Sequence, residues 1–265
     1  MLKRHVVLTL GRSGSNTLVD MLNQHPAVLN LGEVLGEWNQ IRRMQRVSGL
    51  FRGNDAAYID ALLGNVWLQR LLNKTRNIKK RAAGTPEQVK VFGDLQAIGI
   101  KEFSLNFDSL GLESFLERRP DIKVIGLLRE NVLARAVSAA VLENTGVVHS
   151  RQLNVPRTSG FLKMEADELL QRLQAAEQEY ERLLQYLEVL APERVMRISY
   201  EEAFAGQASL VAAVRQVYEF LQLEDYRPEI HLKKLTANDP MAVFEQSEGL
   251  RLALASTRFQ RWLYD

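Results

Sequence analysis

The alternation of apolar and polar positions divides the chain into strands followed by helices. Residues 5–10 (HVVLTL) form a β-branched, almost wholly apolar run that stops at Gly11, the pattern of a strand buried on both faces of a parallel sheet. Past the Gly/Ser loop the apolar positions move to Leu18, Val19, Met21 and Leu22, the spacing of a helix that Pro26 stops. Residues 27–31 read as a short strand-like return. The plan recurs at 122–128 (IKVIGLL), where the polar Arg129-Glu130-Asn131 is followed by Val132, Leu133, Ala136, Val137 and Ala140 at helical spacing. Residues 194–199 supply a third strand, and 89–92 with 97–101 are expected to add more.

Between 167 and 190, Leu169, Leu173, Ala176, Tyr180, Leu183, Leu187 and Leu190 mark an amphipathic helix closed by Pro192. Its seam is short for a coiled coil and suits packing on a sheet. Two stretches lack a period: 74–81 (KTRNIKKR), rich in lysine and arginine, and 147–163, which holds His149, Arg151, Pro156, Arg157 and Gly160. Both are read as surface loops or lids. Strands alternating with helices predict an α/β fold, a P-loop-like three-layer arrangement with a central parallel sheet flanked by helices. One domain over 1–265 is expected, with a variable region at about 36–95 and a lid-like loop at about 147–163.

Composition narrows the chemistry. With 46% hydrophobic and 25% charged residues the chain is a packed globular protein, and a net charge of +2 gives no global field to draw nucleic acid, so an anion site has to be local. The absence of cysteine excludes disulfides, thiolate nucleophiles and Cys-ligated metals and fits a reducing compartment. No signal peptide and no apolar run long enough to cross a bilayer is legible, so a cytoplasmic location is expected. The oligomeric state is left open.

The loop after the first strand is the main chemical signal. In Gly11-Arg12-Ser13-Gly14-Ser15-Asn16-Thr17 small residues allow a tight turn whose N–H groups converge, Arg12 adds a guanidinium fork, and Ser13, Ser15 and Thr17 add hydroxyls. The result is an anion cradle; the plainer alternative is a βα turn whose Ser or Asn caps the helix. A nucleotide kinase would place a Gly-Lys-Ser/Thr here, and it is missing. The second strand–loop–helix has Arg129 at the strand end and Ser138 about two turns into the helix; the two are a surface arginine and a helix serine or, if the loop between them is extended, a pair able to approach one phosphate.

These residues carry a resemblance. Arg12 to Thr17 with Leu18 after an N-terminal strand resembles the 5′-phosphosulfate loop of sulfotransferases that use 3′-phosphoadenosine 5′-phosphosulfate (PAPS), in the Arg-Ser-Gly form similar to carbohydrate members. Arg129 through Ser138 is similar to the same family's 3′-phosphate signature. Asn23-Gln24-His25-Pro26 through Leu31-Gly32-Glu33, Ser199-Tyr200-Glu201-Glu202, and a closing region from Leu232-Lys233-Lys234 to Thr257-Arg258-Phe259 resemble bacterial members such as the nodulation-factor and trehalose enzymes. The resemblance spans nearly the whole chain and is weakest over 36–95.

It implies PAPS as donor, no metal, a small-molecule or glycan acceptor, and a donor site made of Arg12, Ser13, Gly14, Ser15, Asn16, Thr17, Arg129 and Ser138. Arg12 would stabilise charge on the departing phosphate. The acceptor hydroxyl needs a base, and Glu33 is the candidate, on the expectation that a partly apolar setting tunes it. Glu37 and His149 are the alternatives, while His25 and His231 look structural. Lys101 and Lys233 are further candidates for anionic parts of either substrate; Trp38, Trp67 and Phe51 either stack on sugars or belong to the core. The basic 74–81 run faces an acidic acceptor, a membrane surface or solvent. Other readings are a divergent P-loop nucleotide or sugar kinase, and a non-catalytic module binding anions or nucleic acid.

Overall fold

The computed structural model describes residues 2–37, 39–49, 51, 53–85, 88–146, 160–231 and 239–263. The first apolar run forms β1 (Lys3–Thr9), the middle of a five-stranded sheet of order β2-β3-β1-β4-β5. Its companions are β2 (Val28–Asn30), β3 (Ala97–Phe103), β4 (Ile122–Leu128) and β5 (Val195–Ser199), and every pairing is parallel. Val6, Val7, Leu8, Val124, Ile125 and Leu127 are buried, as strands covered on both faces require.

Helices α1 (Ser15–Leu22) and α9 (Gln207–Phe220) bury Leu18, Met21, Val214 and Val217 against one face of the sheet. On the other face lie α3 (Asp55–Gly64), α5 (Ser104–Ser109) and the C-terminal half of α7 (Ala166–Glu188), with Ile59, Leu62, Phe107, Leu183 and Leu187. The three layers and the parallel sheet are those expected from the sequence. A further apolar cluster joins α6 (Val132–Thr145), the N-terminal half of α7 and α10 (Ser247–Ala255). No helix among the described residues is long and apolar enough to cross a membrane.

Two expectations over 36–95 are corrected. The basic 74–81 run is no loop: it lies in α4 (Val66–Ala82), which follows α2 (Gln40–Ser48) and α3. Asn65 caps α4 by accepting from the Leu68 N–H at 3.0 Å, and Lys79, Lys80 and Arg81 sit in its last turn, where the helix dipole favours cations. Residues 89–92 form no strand. Instead, the Asn77 side-chain amide pairs with both the N–H and C=O of Lys90, at 3.0 and 2.8 Å, taking the place of a neighbouring strand, and a short 3₁₀ turn follows at Phe92–Asp94.

The 147–163 segment, with His149, lies outside the described residues up to 159; beyond it Leu162 forms a parallel bridge with Phe244. Lys233 and Trp38 also lie outside them. Trp67 is 71% exposed and so is not core.

The register decides where chemistry can gather. Thr9 is opposite Phe103 and Leu127, and Leu128 is opposite Ser199, so the loops leaving β1, β3, β4 and β5 emerge side by side at the carboxyl edge of the sheet. Open parallel sheets bind their ligands in the crevice outside this edge.

Candidate functional site at the carboxyl edge

The loop after β1 turns through two left-handed residues, Arg12 at φ 65° and Gly14 at φ 72°. For a non-glycine residue that conformation is uncommon and is kept where the surroundings over-determine it. Here the surroundings are the loop after β4. Arg129 Nη1 donates to the Arg12 carbonyl at 2.6 Å, and Arg12 Nε donates to Ser138 Oγ, on α6, at 3.0 Å. Residues 117 to 126 positions apart in the chain thus meet at one point.

Arg129 is buried and has no ion pair among the described residues; its Nε has no hydrogen-bond partner, and neither has the buried Ser13 Oγ. Burial lowers the pKa of both arginines, and the charge of Arg129 lowers Arg12 further. The charge of Arg129 thus acts against that of Arg12, and an anion reaching both would relieve the repulsion.

The 199–202 segment, Ser199 and the start of the short α8 (Tyr200–Ala203), explains how the two loops are held. The Arg129 guanidinium lies 4.3 Å over the Tyr200 ring, Tyr200 stacks on Phe204 at 4.5 Å, and Phe204 abuts Gly14 so closely that a Cβ there would come within 2.6 Å of the ring. Only glycine satisfies both the space and the φ at position 14. Glu201 accepts from the N–H groups of Glu130 and Asn131, at 3.2 and 3.0 Å, while Asn131 caps α6 at the Ala134 N–H. Sequence reading noted the Tyr-Glu pair without giving it a role. Its contacts are long-range, and no local pattern marks them.

Glu33 stands on the β2–β3 side of the same edge. Its loop is pinned by backbone bonds, Leu31 N–H to Gly99 and Lys101 N–H to Gly32, and by Asn30, whose Oδ1 accepts from Gly32 N–H at 2.9 Å. Asn30 Nδ2 in turn meets Nε2 of the buried His5 at 3.1 Å. Desolvation lowers His5 to a pKa of about 4, which keeps its ring neutral.

The Glu33 carboxylate forms an ion pair with the buried Lys101 ammonium. The apolar setting expected for it is therefore corrected: Glu33 faces a fixed positive charge. Lys101, expected as a possible ligand for substrate anions, belongs to Glu33 instead. Burial pulls its pKa below the usual lysine value, and Glu33 opposes that shift.

Next to it, the fully buried Glu102 accepts from the backbone N–H groups of Val34 and Leu35 and from Asn106 Nδ2 at 2.8 Å. Burial raises its pKa. Glu102 was missed from sequence, although two charged residues ending an apolar strand are themselves a signal.

Glu37 is not on a shared helical face with Glu33. The segment before α2 is not helical, and the Glu37 side chain is exposed and paired with Arg46. His25 and His231 are structural as expected: the His25 ring accepts from Ala27 N–H at 3.1 Å, and His231 lies 3.1 Å from Asp20. Phe51 is partly exposed, its ring 6.2 Å from that of Tyr58.

The sequence model of the sulfotransferase family matches residues 6–228, most of the chain. No curated protein sequence matches. Solved structures that resemble this one include a sulfotransferase from Alicyclobacillus acidocaldarius (19% identity, 100% of this chain and 96% of that one, TM-score 0.48). Another is the sulfotransferase domain of the Synechococcus PCC 7002 olefin synthase (14% identity, 99% and 92%, TM-score 0.43). A third is sulfotransferase STF1 from Mycobacterium tuberculosis (15% identity, 84% and 68%, TM-score 0.43).

Proposed function

We propose, since the chain belongs to the sulfotransferase family and is thereby a transferase, that it moves a sulfuryl group from PAPS to a hydroxyl of a carbohydrate or glycoconjugate. The observation that carries this reading is the meeting of Arg12, Arg129 and Ser138, which gathers two cations and a hydroxyl from two loops and a helix far apart in sequence. The kinase and non-catalytic readings give way to it. The unpartnered Ser13 Oγ and Arg129 Nε fit a ligand with several acceptor oxygens.

In this reading the loop of Arg12, Ser13, Gly14, Ser15, Asn16 and Thr17 holds the 5′-phosphosulfate, and Arg129 with Ser138 holds the 3′-phosphate. When bound, the donor supplies a sulfur–oxygen bond that breaks toward its phosphate as the acceptor oxygen bonds to sulfur. Arg12 and the loop N–H groups meet the charge that collects on the leaving phosphate. Glu33 takes the proton from the acceptor hydroxyl, and Lys101 holds one carboxylate oxygen so that the base keeps its aim. The 36–95 region, packed beside Glu33 through the Tyr58 hydroxyl that donates to the Val34 carbonyl at 3.3 Å, is the acceptor side of a single domain.

The test is transfer of label from radiolabelled PAPS to a panel of glycans, glycolipids and phenols, alongside calorimetry with 3′-phosphoadenosine 5′-phosphate. Label is expected on glycans or glycolipids. Arg12→Ala and Arg129→Ala are each expected to weaken nucleotide affinity about 10²-fold. Unchanged affinity in both variants removes the donor assignment, and label on phenols alone removes the carbohydrate one.

A further inference from the structure

Helix α4 carries apolar groups on both sides. Toward the protein Leu68 and Leu72 pack on the core beside the buried Gln69 and Asn73, with Gln69 Nε2 donating to the Leu62 carbonyl at 3.3 Å and Asn73 Nδ2 to that of Lys90 at 3.0 Å. The outer side carries large apolar groups, Trp67 at 71% exposure, Ile78 at 59% and Leu71 at 44%.

Trp67, Leu71, Lys74, Ile78 and Arg81 follow one another at spacings of four and three, so they form one stripe along the exposed face, with Arg70 flanking it. The helix VWLQRLLNKTRNIKKRA holds six lysines and arginines and no acid. Beside it, α2 exposes Met44 and Val47 among arginines and is tied to α4 by Lys79 Nζ donating to Gln40 Oε1 at 2.6 Å. The acid nearest in sequence to α2, Glu37, is occupied by Arg46.

An apolar stripe interleaved with cations has a particular partner chemistry. A second copy docked through the same face would bring like charges together, which costs affinity. A polynucleotide would satisfy the cations but leave Leu71 and Ile78 in water. At the boundary of an anionic bilayer, Trp67, Leu71 and Ile78 enter the headgroup and acyl region while Lys74 and Arg81 reach back to lipid phosphates.

We propose that the exposed face of α4, continued by α2, docks on an anionic lipid surface and holds the acceptor side of the enzyme against a membrane. The claim does not depend on the donor or the base, and it narrows the acceptors met there to those displayed at a bilayer.

The test is co-sedimentation of the full chain with phosphatidylcholine vesicles with and without phosphatidylglycerol, at low and high salt. Binding is expected with the anionic vesicles only, weakened by salt. It should fall about tenfold or more in Lys74→Glu/Arg81→Glu, and also in Trp67→Ser, with the melting temperature of both variants unchanged. If either variant melts lower, Lys74→Gln/Arg81→Gln is used in its place with the same expectation. Absence of binding at low salt, equal binding to neutral vesicles, or binding indifferent to these substitutions overturns the proposal. So does tighter binding to a polynucleotide than to the vesicles, or a dimer that the charge reversal abolishes.

Discussion

Where β1 and β4 end, Arg12 and Arg129 crowd two positive charges together and leave Arg129 without an ion pair among the described residues; where β3 ends, Lys101 and Glu102 are matched to Glu33 and to the N–H groups behind it. Both places are buried, both lie at the same edge of one sheet, and both are built from long-range contacts. Burying a charge is costly unless something balances it. On the β2–β3 side the protein supplies the balance itself. On the β1–β4 side the proposed function gives that part to the phosphates of the donor, so that removing a cation there should be felt in binding, whereas disturbing the β2–β3 side should be felt in turnover and folding.

Glu33→Gln sharpens that division most. The substitution keeps the side chain's size and takes away the proposed base, and turnover is expected to fall about 10³-fold, within the usual range for a general base. Affinity for 3′-phosphoadenosine 5′-phosphate should remain as in the parent, because the ion pair of Glu33 is with Lys101 on the β2–β3 side. Stopped-assay kcat together with calorimetry reads both quantities. Near-parental turnover would send the search for the base to His149, and a parallel loss of nucleotide affinity would show that the two sides are not separate.

What the sequence made legible follows the same line. The strands 5–10, 122–128 and 194–199 and the helix over 167–190 are found close to where their apolar periods put them, because parallel strands buried on both faces cannot be polar. Arg12, Arg129 and Ser138 could be singled out because each sits at a strand end or on the helix after it. The supports could not: Tyr200 under Arg129, Phe204 against Gly14 and Glu102 behind Val34 are contacts between segments, and no local spacing records them. Helix α4 was hidden for another reason, since it turns Leu68 and Leu72 to the core but also buries asparagine and glutamine and exposes tryptophan and isoleucine, so no clean apolar face stands out.

The β2–β3 side should also be the first to fail in acid. Neutral His5 meets the Asn30 amide that pins the Glu33 loop, and its ring holds a proton in the folded protein only near pH 4, against about 6.5 in the unfolded chain. Between those values the unfolded state binds more protons, so stability drops as the pH falls through this window, by about 3 kcal/mol for a group so fully buried. Urea unfolding at neutral pH and at about pH 4.5 measures it. His5→Gln, which cannot be charged, is expected to show a smaller acid loss than the parent. An equal loss in both would assign the acid sensitivity to other groups.

On the β1–β4 side the corresponding lever is steric rather than electrostatic, and its effect is smaller. Gly14→Ala places a Cβ 2.6 Å from the Phe204 ring in a residue at φ 72°, so both the backbone and the ring resist it. The expected cost is about 1–2 kcal/mol of stability, with a several-fold weaker grip on 3′-phosphoadenosine 5′-phosphate, because a displaced Phe204 carries Tyr200 away from Arg129. Phe204→Ala in the same chain removes the clash but not the backbone strain. The two substitutions should therefore be less than additive in urea unfolding, with a coupling of about 0.5 kcal/mol or more. Strict additivity would mean that the ring does not support the loop, and that Arg129 is held in place without the stack beneath it.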